Sequence, residues 1–209
     1  MSEGYTLHED PRSGNCYKIK MVASYLGIPL TIRAYDILKG ETRTPEFAAN
    51  VSKANAIPVL EIQDDLGPRF IPESNAACWY LAEGSDLIPE GRFNRAEMLR
   101  WMFFEQNTHE PNIATLRFWY QFVGVDNLSE EQKAMITAKS NTAVSALRLL
   151  EDHLATRDWM VGDAATLADV VLFPYTQTAE ESRFPLANYP AIGRWLERVE
   201  NVPALTPPR

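Results

Sequence analysis

The spacing of apolar and polar positions changes period partway along the chain. Tyr5-Thr6-Leu7-His8 alternates as a half-buried strand does, and Ile19, Val22, Ala23 and Leu26 then recur at the three- and four-residue steps of a helix that Gly27 ends. Leu30 to Tyr35 predicts a second strand, Pro45 to Val51 a short helix entered through Thr44, and Pro58 to Ile62 a third strand. Gly67-Pro68 marks a turn before a brief Arg69-Phe70-Ile71 strand. From Glu73 to Glu83 the pattern is helical, with Ala76, Ala77, Tyr80 and Leu81 as its stripe. The order is βαβαββα.

Beyond Gly91 the strand signal disappears. Gly84 to Gly91 carries turn residues and an internal proline, which predicts a first domain over 1–84, a linker over 85–91 and an all-helical second domain over 92–209. Helical patterns run from about Asn94 to Phe122 and from Ser129 to His153. In the latter, Ile136, Ser140, Ala143, Leu147, Leu150 and Leu154 form the buried stripe a helical bundle needs. Thr166-Leu167-Ala168-Asp169 fits a capping box opening another helix, and a last helix spans roughly Ala191 to Glu200. The fold class is α/β followed by all-α, without internal repeats.

Composition narrows the function. With 28 acidic against 20 basic side chains the formal charge is -8 over 209 residues, and no Lys/Arg-rich run offers a surface for nucleic acid. The start lacks the cationic and apolar regions of a signal peptide, and no apolar run reaches membrane-spanning length. A cytoplasmic protein without membrane partners is expected. Cys16 and Cys78 provide neither a disulfide framework nor the clustered spacing of a metal site, so no metal is expected.

Three local motifs carry candidate chemistry. In Asn55-Ala56-Ile57-Pro58-Val59-Leu60 a proline opens an apolar strand after a turn; a cis Ile57-Pro58 bond would present the Ile57 backbone to an extended peptide. Pro72-Glu73-Ser74-Asn75-Ala76 opens a helix whose first amides favour an anion. Pro11-Arg12-Ser13-Gly14-Asn15-Cys16-Tyr17-Lys18 joins the first strand to the first helix and holds a hydroxyl, an amide and a thiol. Each has an ordinary alternative: a trans-proline at a strand start, plain helix-opening residues, and caps with a small buried cysteine.

Taken in order, these motifs resemble the soluble glutathione transferases over essentially the whole chain. The resemblance implies a thioredoxin-like first domain and a helical-bundle second domain. It implies that Ile57 and Pro58 hold the cysteinyl part of glutathione, and that Ser74 and Glu73 meet its γ-glutamyl carboxylate and ammonium. Lys39, Arg43 or Lys53 would serve the glycyl carboxylate. Ala56 and Ser52-Lys53-Ala54-Asn55 depart from the family's usual residues around the turn. For the sulfur three partners stay open: Ser13 as in the serine-type classes, Asn15 as in nu-like bacterial members, and Cys16 as in the beta class. Tyr5 lies too early for the tyrosine-type classes. Ser13 leads and Cys16 follows.

The resemblance further implies a homodimer, no tightly bound cofactor, glutathione as co-substrate, and a hydrophobic electrophile as second substrate in detoxification chemistry. His109, Arg117 and Tyr120 are the candidates beside that electrophile, although an aromatic-rich helix is more often core. Two rivals remain: glutathione-dependent disulfide reduction using Cys16 or Asn15, and a non-catalytic binding module.

Overall fold

A computed structural model describes residues 4–65 and 67–208. The chain divides into two compact units, one running to Ser85 and taking in the segment from Pro203, the other spanning Asp86–Val202. The sequence pattern assigned that returning segment to the second domain. Its return is anchored by Tyr17, whose hydroxyl donates to the Pro207 carbonyl at 2.6 Å.

The first unit is built on β1 (Gly4–Glu9), α1 (Gly14–Tyr25), β2 (Leu30–Ala34), α2 (Pro45–Asn50), β3 (Val59–Asp64), β4 (Gly67–Pro72) and α3 (Ser74–Ala82). The sheet order is β2-β1-β3-β4, with β1 parallel to β2 and antiparallel to β3, and β3 antiparallel to β4. This is the thioredoxin-like arrangement. Leu7, Leu60 and Ile62 send apolar side chains into the core, where Ile19, Met21 and Val22 of α1 are also fully or almost fully buried. α1 and α3 pack against each other. The buried face of α3 is Ala77, Cys78 and Leu81 rather than the predicted stripe, for Ala76 is exposed and Tyr80 half-buried. Ser13 and Thr44 cap α1 and α2 through their side chains.

The second unit is helical: α4 (Arg92–Phe104), α5 (Glu110–Phe118), α6 (Glu130–Leu154), α7 (Leu167–Gln177) and α8 (Pro190–Glu200). The predicted long helix over 94–122 is interrupted by π-helical turns at Glu105–His109 and Trp119–Val123. Pro111 brings no amide to the ladder, and the wide turn just before it absorbs the mismatch. Ser129 and Gln132 close a capping box at the start of α6, whose Ala143, Leu147, Leu150 and Leu154 are buried while Ile136 and Ser140 are half-buried.

α7 opens on the Thr166–Asp169 box, and Asp169 is wholly buried. Its Oδ1 accepts from the Met160 amide at 3.0 Å and the Trp195 indole at 2.9 Å, and its Oδ2 from the Thr166 amide at 2.9 Å and hydroxyl at 3.0 Å. Burial pushes this carboxyl up from its ordinary value against the pull of those bonds. No helix among the described residues is long and apolar enough to cross a membrane.

Candidate functional site

The first unit gathers two of the three motifs at the starts of α1 and α3, and carries the third at the start of β3. Among the described residues the Ile57-Pro58 bond is the cis peptide, and Asn55, two residues earlier, takes a left-handed φ of 54°. The β3 ladder begins at Val59, so the Ile57 backbone stands outside the sheet. Pro58 is buried, Ile57 half-buried and Ala56 exposed.

Glu73 precedes α3 with φ 70°, in the region that favours glycine, and its side chain makes no capping bond. A non-glycine residue there carries on the order of 1–3 kcal/mol of backbone strain, which persists where the surroundings enforce it. The outcome is an exposed carboxylate beside helix-start amides that the Glu73 side chain leaves uncapped. Ser74 is buried, and its Oγ donates to Asn15 Oδ1 at 3.3 Å.

The loop before α1 is tied down by a residue the sequence pattern did not single out. Arg12 donates through Nε to Asp10 Oδ1 at 2.8 Å, and through Nη2 to Asp10 Oδ2 at 2.5 Å and Asp36 Oδ1 at 2.6 Å. Asp10 is fully buried and also accepts from the amides of Arg12 and Ile37. Burial works to raise the Asp10 carboxyl, but its bonds to Arg12 and the Ile37 amide outweigh it and leave it lowered. Hydrogen bonding to Arg12, aided by the Leu38 amide, holds Asp36 at about 2. The same bonds push the Arg12 guanidinium further up. No local sequence signal marks this clamp, because Asp36 is 24 residues away.

At the tip of the loop the three sulfur-partner candidates differ in placement. Ser13 is half-buried and its Oγ accepts from the Cys16 amide at 3.3 Å. Asn15 is half-buried. Cys16 is fully buried, and burial, with the nearby charges of Glu9 and Asp10, pushes its thiol up to about 12 despite hydrogen bonds to Ser13 and Asp10. Lys18, one turn further, is wholly buried and donates to Asn15 Oδ1 at 2.6 Å. A lysine on an amphipathic helix reads as solvated, so its role was not visible in the pattern.

Lys39 and Arg43 are exposed, with Lys39 Nζ 3.4 Å from Asp36 Oδ2. Lys53 is likewise exposed. A cavity of about 370 Å³ adjoins the loop through Pro11 and Arg12 and is walled by Ala34, Tyr35, Asp36 and Glu41. Pro11 and Arg12 are its only motif residues, and none of the candidate glutathione-binding residues lines it.

The candidates of the second unit have structural partners there. His109 is wholly buried with Nε2 2.9 Å from Thr176 Oγ1, whose hydroxyl donates to the Leu172 carbonyl, so the ring serves as donor. That is a core position, without the exposure a substrate contact needs. Arg117 pairs with Glu181 at 2.6 Å, and the Arg183 guanidinium lies 4.1 Å from the Tyr120 ring centre. Among the described residues there is no group of three or more His, Cys, Asp or Glu side chains placed to hold a metal ion.

A thioredoxin-like unit with a cis-proline turn and a strained Glu-Ser helix start, followed in the chain by a helical unit, defines the class by its fold. The comparisons make this specific. Residues 7–87 match the model for the glutathione S-transferase N-terminal domain and residues 108–203 that for its C-terminal domain. The chain is 39% identical to a possible glutathione S-transferase from Rhodopseudomonas palustris, covering 96% of this chain and 87% of that one with a TM-score of 0.87. A glutathione transferase family member from Pseudomonas fluorescens, solved with two glutathione bound, is 25% identical and covers 97% of this chain and 90% of its own, TM-score 0.82. The disulfide-bond oxidoreductase YfcG of Escherichia coli is 26% identical, the match covering 91% of this chain and 87% of that protein. The chain belongs to the glutathione S-transferase family.

Proposed function

We propose that this protein transfers the sulfur of glutathione to a small hydrophobic electrophile. The observation that carries the reading is the contrast in the α1 loop: Cys16 is buried with its thiol pushed to about 12, while Ser13 and Asn15 remain partly exposed. A thiol held protonated neither attacks a disulfide nor leaves one readily. Neutral donors beside the glutathione sulfur instead stabilise its thiolate. The thiol proton passes to solvent, the sulfur forms a bond to the electrophilic carbon, and the leaving group departs with its electron pair.

In this reading the Ile57 backbone pairs with the cysteinyl part of glutathione, as an added strand pairs with a sheet edge. The α3 amides and Ser74 hold the γ-glutamyl carboxylate, and Glu73 its ammonium. Lys39 or Arg43 meets the glycyl carboxylate. No tightly bound cofactor takes part. A two-fold dimer accompanies the reading; the 76% and 65% exposure of Phe93 and Phe103 on α4 supports it, and light scattering of the purified protein tests it.

Conjugation of glutathione to a chloronitrobenzene is the test. Ser13→Ala and Asn15→Ala are expected to lower the rate, and Cys16→Ser to leave it within about twofold. The similarity to a disulfide-bond oxidoreductase favours a second reading, glutathione-dependent disulfide reduction. Efficient reduction of a small disulfide, lost in Cys16→Ser, would replace the transferase assignment.

A further inference from the structure

The helical unit has a cleft of its own, with a charge opposite to that of the chain. A cavity of about 340 Å³ lies where the turn after α6 meets α8, and Arg157, Asp158, Arg194 and Arg198 are in its lining, beside the apolar Leu154 and Ala191. All of them fall within Asp86–Val202. Three arginines and one acid thus share a cavity in a chain whose formal charge is -8.

The acid is already committed. Asp158 Oδ1 pairs with Arg198 Nη2 at 2.7 Å and the Asp158 carbonyl accepts from Nη1 at 3.0 Å, so the Arg198 fork is pinned along one edge. The α8 N-terminus is filled as well: Glu151 Oε1 and Oε2 accept from the Ala191 and Ile192 amides at 2.9 Å each. Arg157 reaches a neutral group, the His153 carbonyl, at 3.4 Å, and Glu97, an acid that feels its charge, is bound by Arg100. Arg194 is exposed and pairs with no acid among the described residues. It stands four residues before Arg198 on α8, a spacing at which like charges repel. Arg198, in the last turn, suits the helix dipole; Arg194 has no such reason to be there.

We propose that this cleft binds a small phosphate monoester, held by Arg157, Arg194 and Arg198. Guanidinium groups bind phosphate oxygens through paired N–H bonds, and three of them match a dianion better than a single carboxylate. At about 30 Å³ per liquid water, the cavity has room for roughly eleven waters, so it takes an organic portion besides the phosphate. Thr156 in the lining suits a polar one, such as a glycerol or sugar unit. The glutathione reading concerns the other unit and is independent of this site.

The test is calorimetric titration at low salt with glycerol 3-phosphate, inorganic phosphate and succinate, on wild type, Arg194→Gln, Arg157→Gln and Arg194→Lys. Wild type is expected to bind one glycerol 3-phosphate per chain about tenfold more tightly than either other anion, with or without saturating glutathione. Arg194→Gln and Arg157→Gln are each expected to weaken it about tenfold, as for loss of one charge-assisted contact. Arg194→Lys keeps the charge without the fork and is expected to fall between.

Arg157 and Arg194 are both exposed, so their variants are expected to fold. Without ligand, Arg194→Gln is expected to melt no lower than wild type, because it removes a like-charge pair, whereas a structural role for Arg194 predicts a lower midpoint. No binding of glycerol 3-phosphate, binding that all three variants leave unchanged, or binding that glutathione displaces overturns the proposal. Equal affinity for inorganic phosphate or succinate makes the cleft a general anion site and overturns the monoester assignment. Each of the outcomes without glutathione leaves the glutathione reading standing.

Discussion

Replacing Asp169 by asparagine keeps the shape of the side chain and removes one of two acceptor oxygens in the middle of the second unit. Four donors converge on this carboxylate: the Met160 amide, the Trp195 indole, and the amide and hydroxyl of Thr166. The least costly orientation turns the new NH2 toward Thr166, whose hydroxyl can rotate and accept, leaving the Thr166 amide facing a donor. One hydrogen bond to a charged group is lost, at about 1.5–3 kcal/mol, and the others weaken as the charge disappears. Relief of the burial that pushes this carboxyl up offsets part of the loss. The net is about 2–4 kcal/mol, or roughly 10 °C in Tm for a chain of this size. Thr166→Val, which removes only the hydroxyl, with its bond from the Ala168 amide and its bond to Asp169 Oδ2, should cost about 1–2 kcal/mol. Tryptophan fluorescence during thermal unfolding reports the right unit, since four of the five tryptophans lie within Asp86–Val202. An Asp169→Asn midpoint equal to that of Thr166→Val would refute the reasoning, because the carboxylate would then act as a local cap and not as a tie between three segments.

Glu73→Gly relieves a left-handed backbone but adds glycine's chain entropy, so stability should stay level or rise by up to about 1 kcal/mol; calorimetry should meanwhile show glutathione binding weakened by about tenfold, as for loss of one charge-assisted contact. Asp36, held at about 2, and Asp10, also lowered, contribute stability that is complete above the ordinary carboxylate value of 3.8 and lost as pH falls through their folded values. Arg12→Met should therefore lower Tm at neutral pH and flatten its fall on the acid side, and an unchanged acid limb would remove the clamp from the account. Both free cysteines are buried, so a disulfide dye at pH 7.4 should label neither thiol in the native protein and both in denaturant. Prompt native labelling of Cys16 would contradict its placement.

The strand and helix order of the first unit was legible because alternating and three-to-four-residue spacings do not imitate one another over these lengths. The buried face of α3 was not, since alanines at 76 and 77 are too alike to show which one faces the sheet. Pro111 was visible, but not the π-helical turn that accommodates it, because that choice depends on how Glu105 and His109 pack. At the site, the proline turn and the Glu-Ser helix start announced themselves through residues adjacent in sequence. Arg12 and Lys18 did not, for each depends on a partner brought in from elsewhere: Asp36 across β2, and Asn75 57 residues on. A charged residue that is buried leaves no mark on a hydrophobic pattern.

The bond from Tyr17 to the Pro207 carbonyl spans 190 residues. Translated into time, it means that the sheet-bearing unit is interrupted by the 117 residues of Asp86–Val202 and completed only after they have been made. At roughly 5–20 residues per second, that is about 6–23 s in which α1 waits on the ribosome without its last covering segment. The helical unit has all its own residues by then. Synthesis thus sets an order in which the second unit can close first, and the half that carries the candidate glutathione site is finished last.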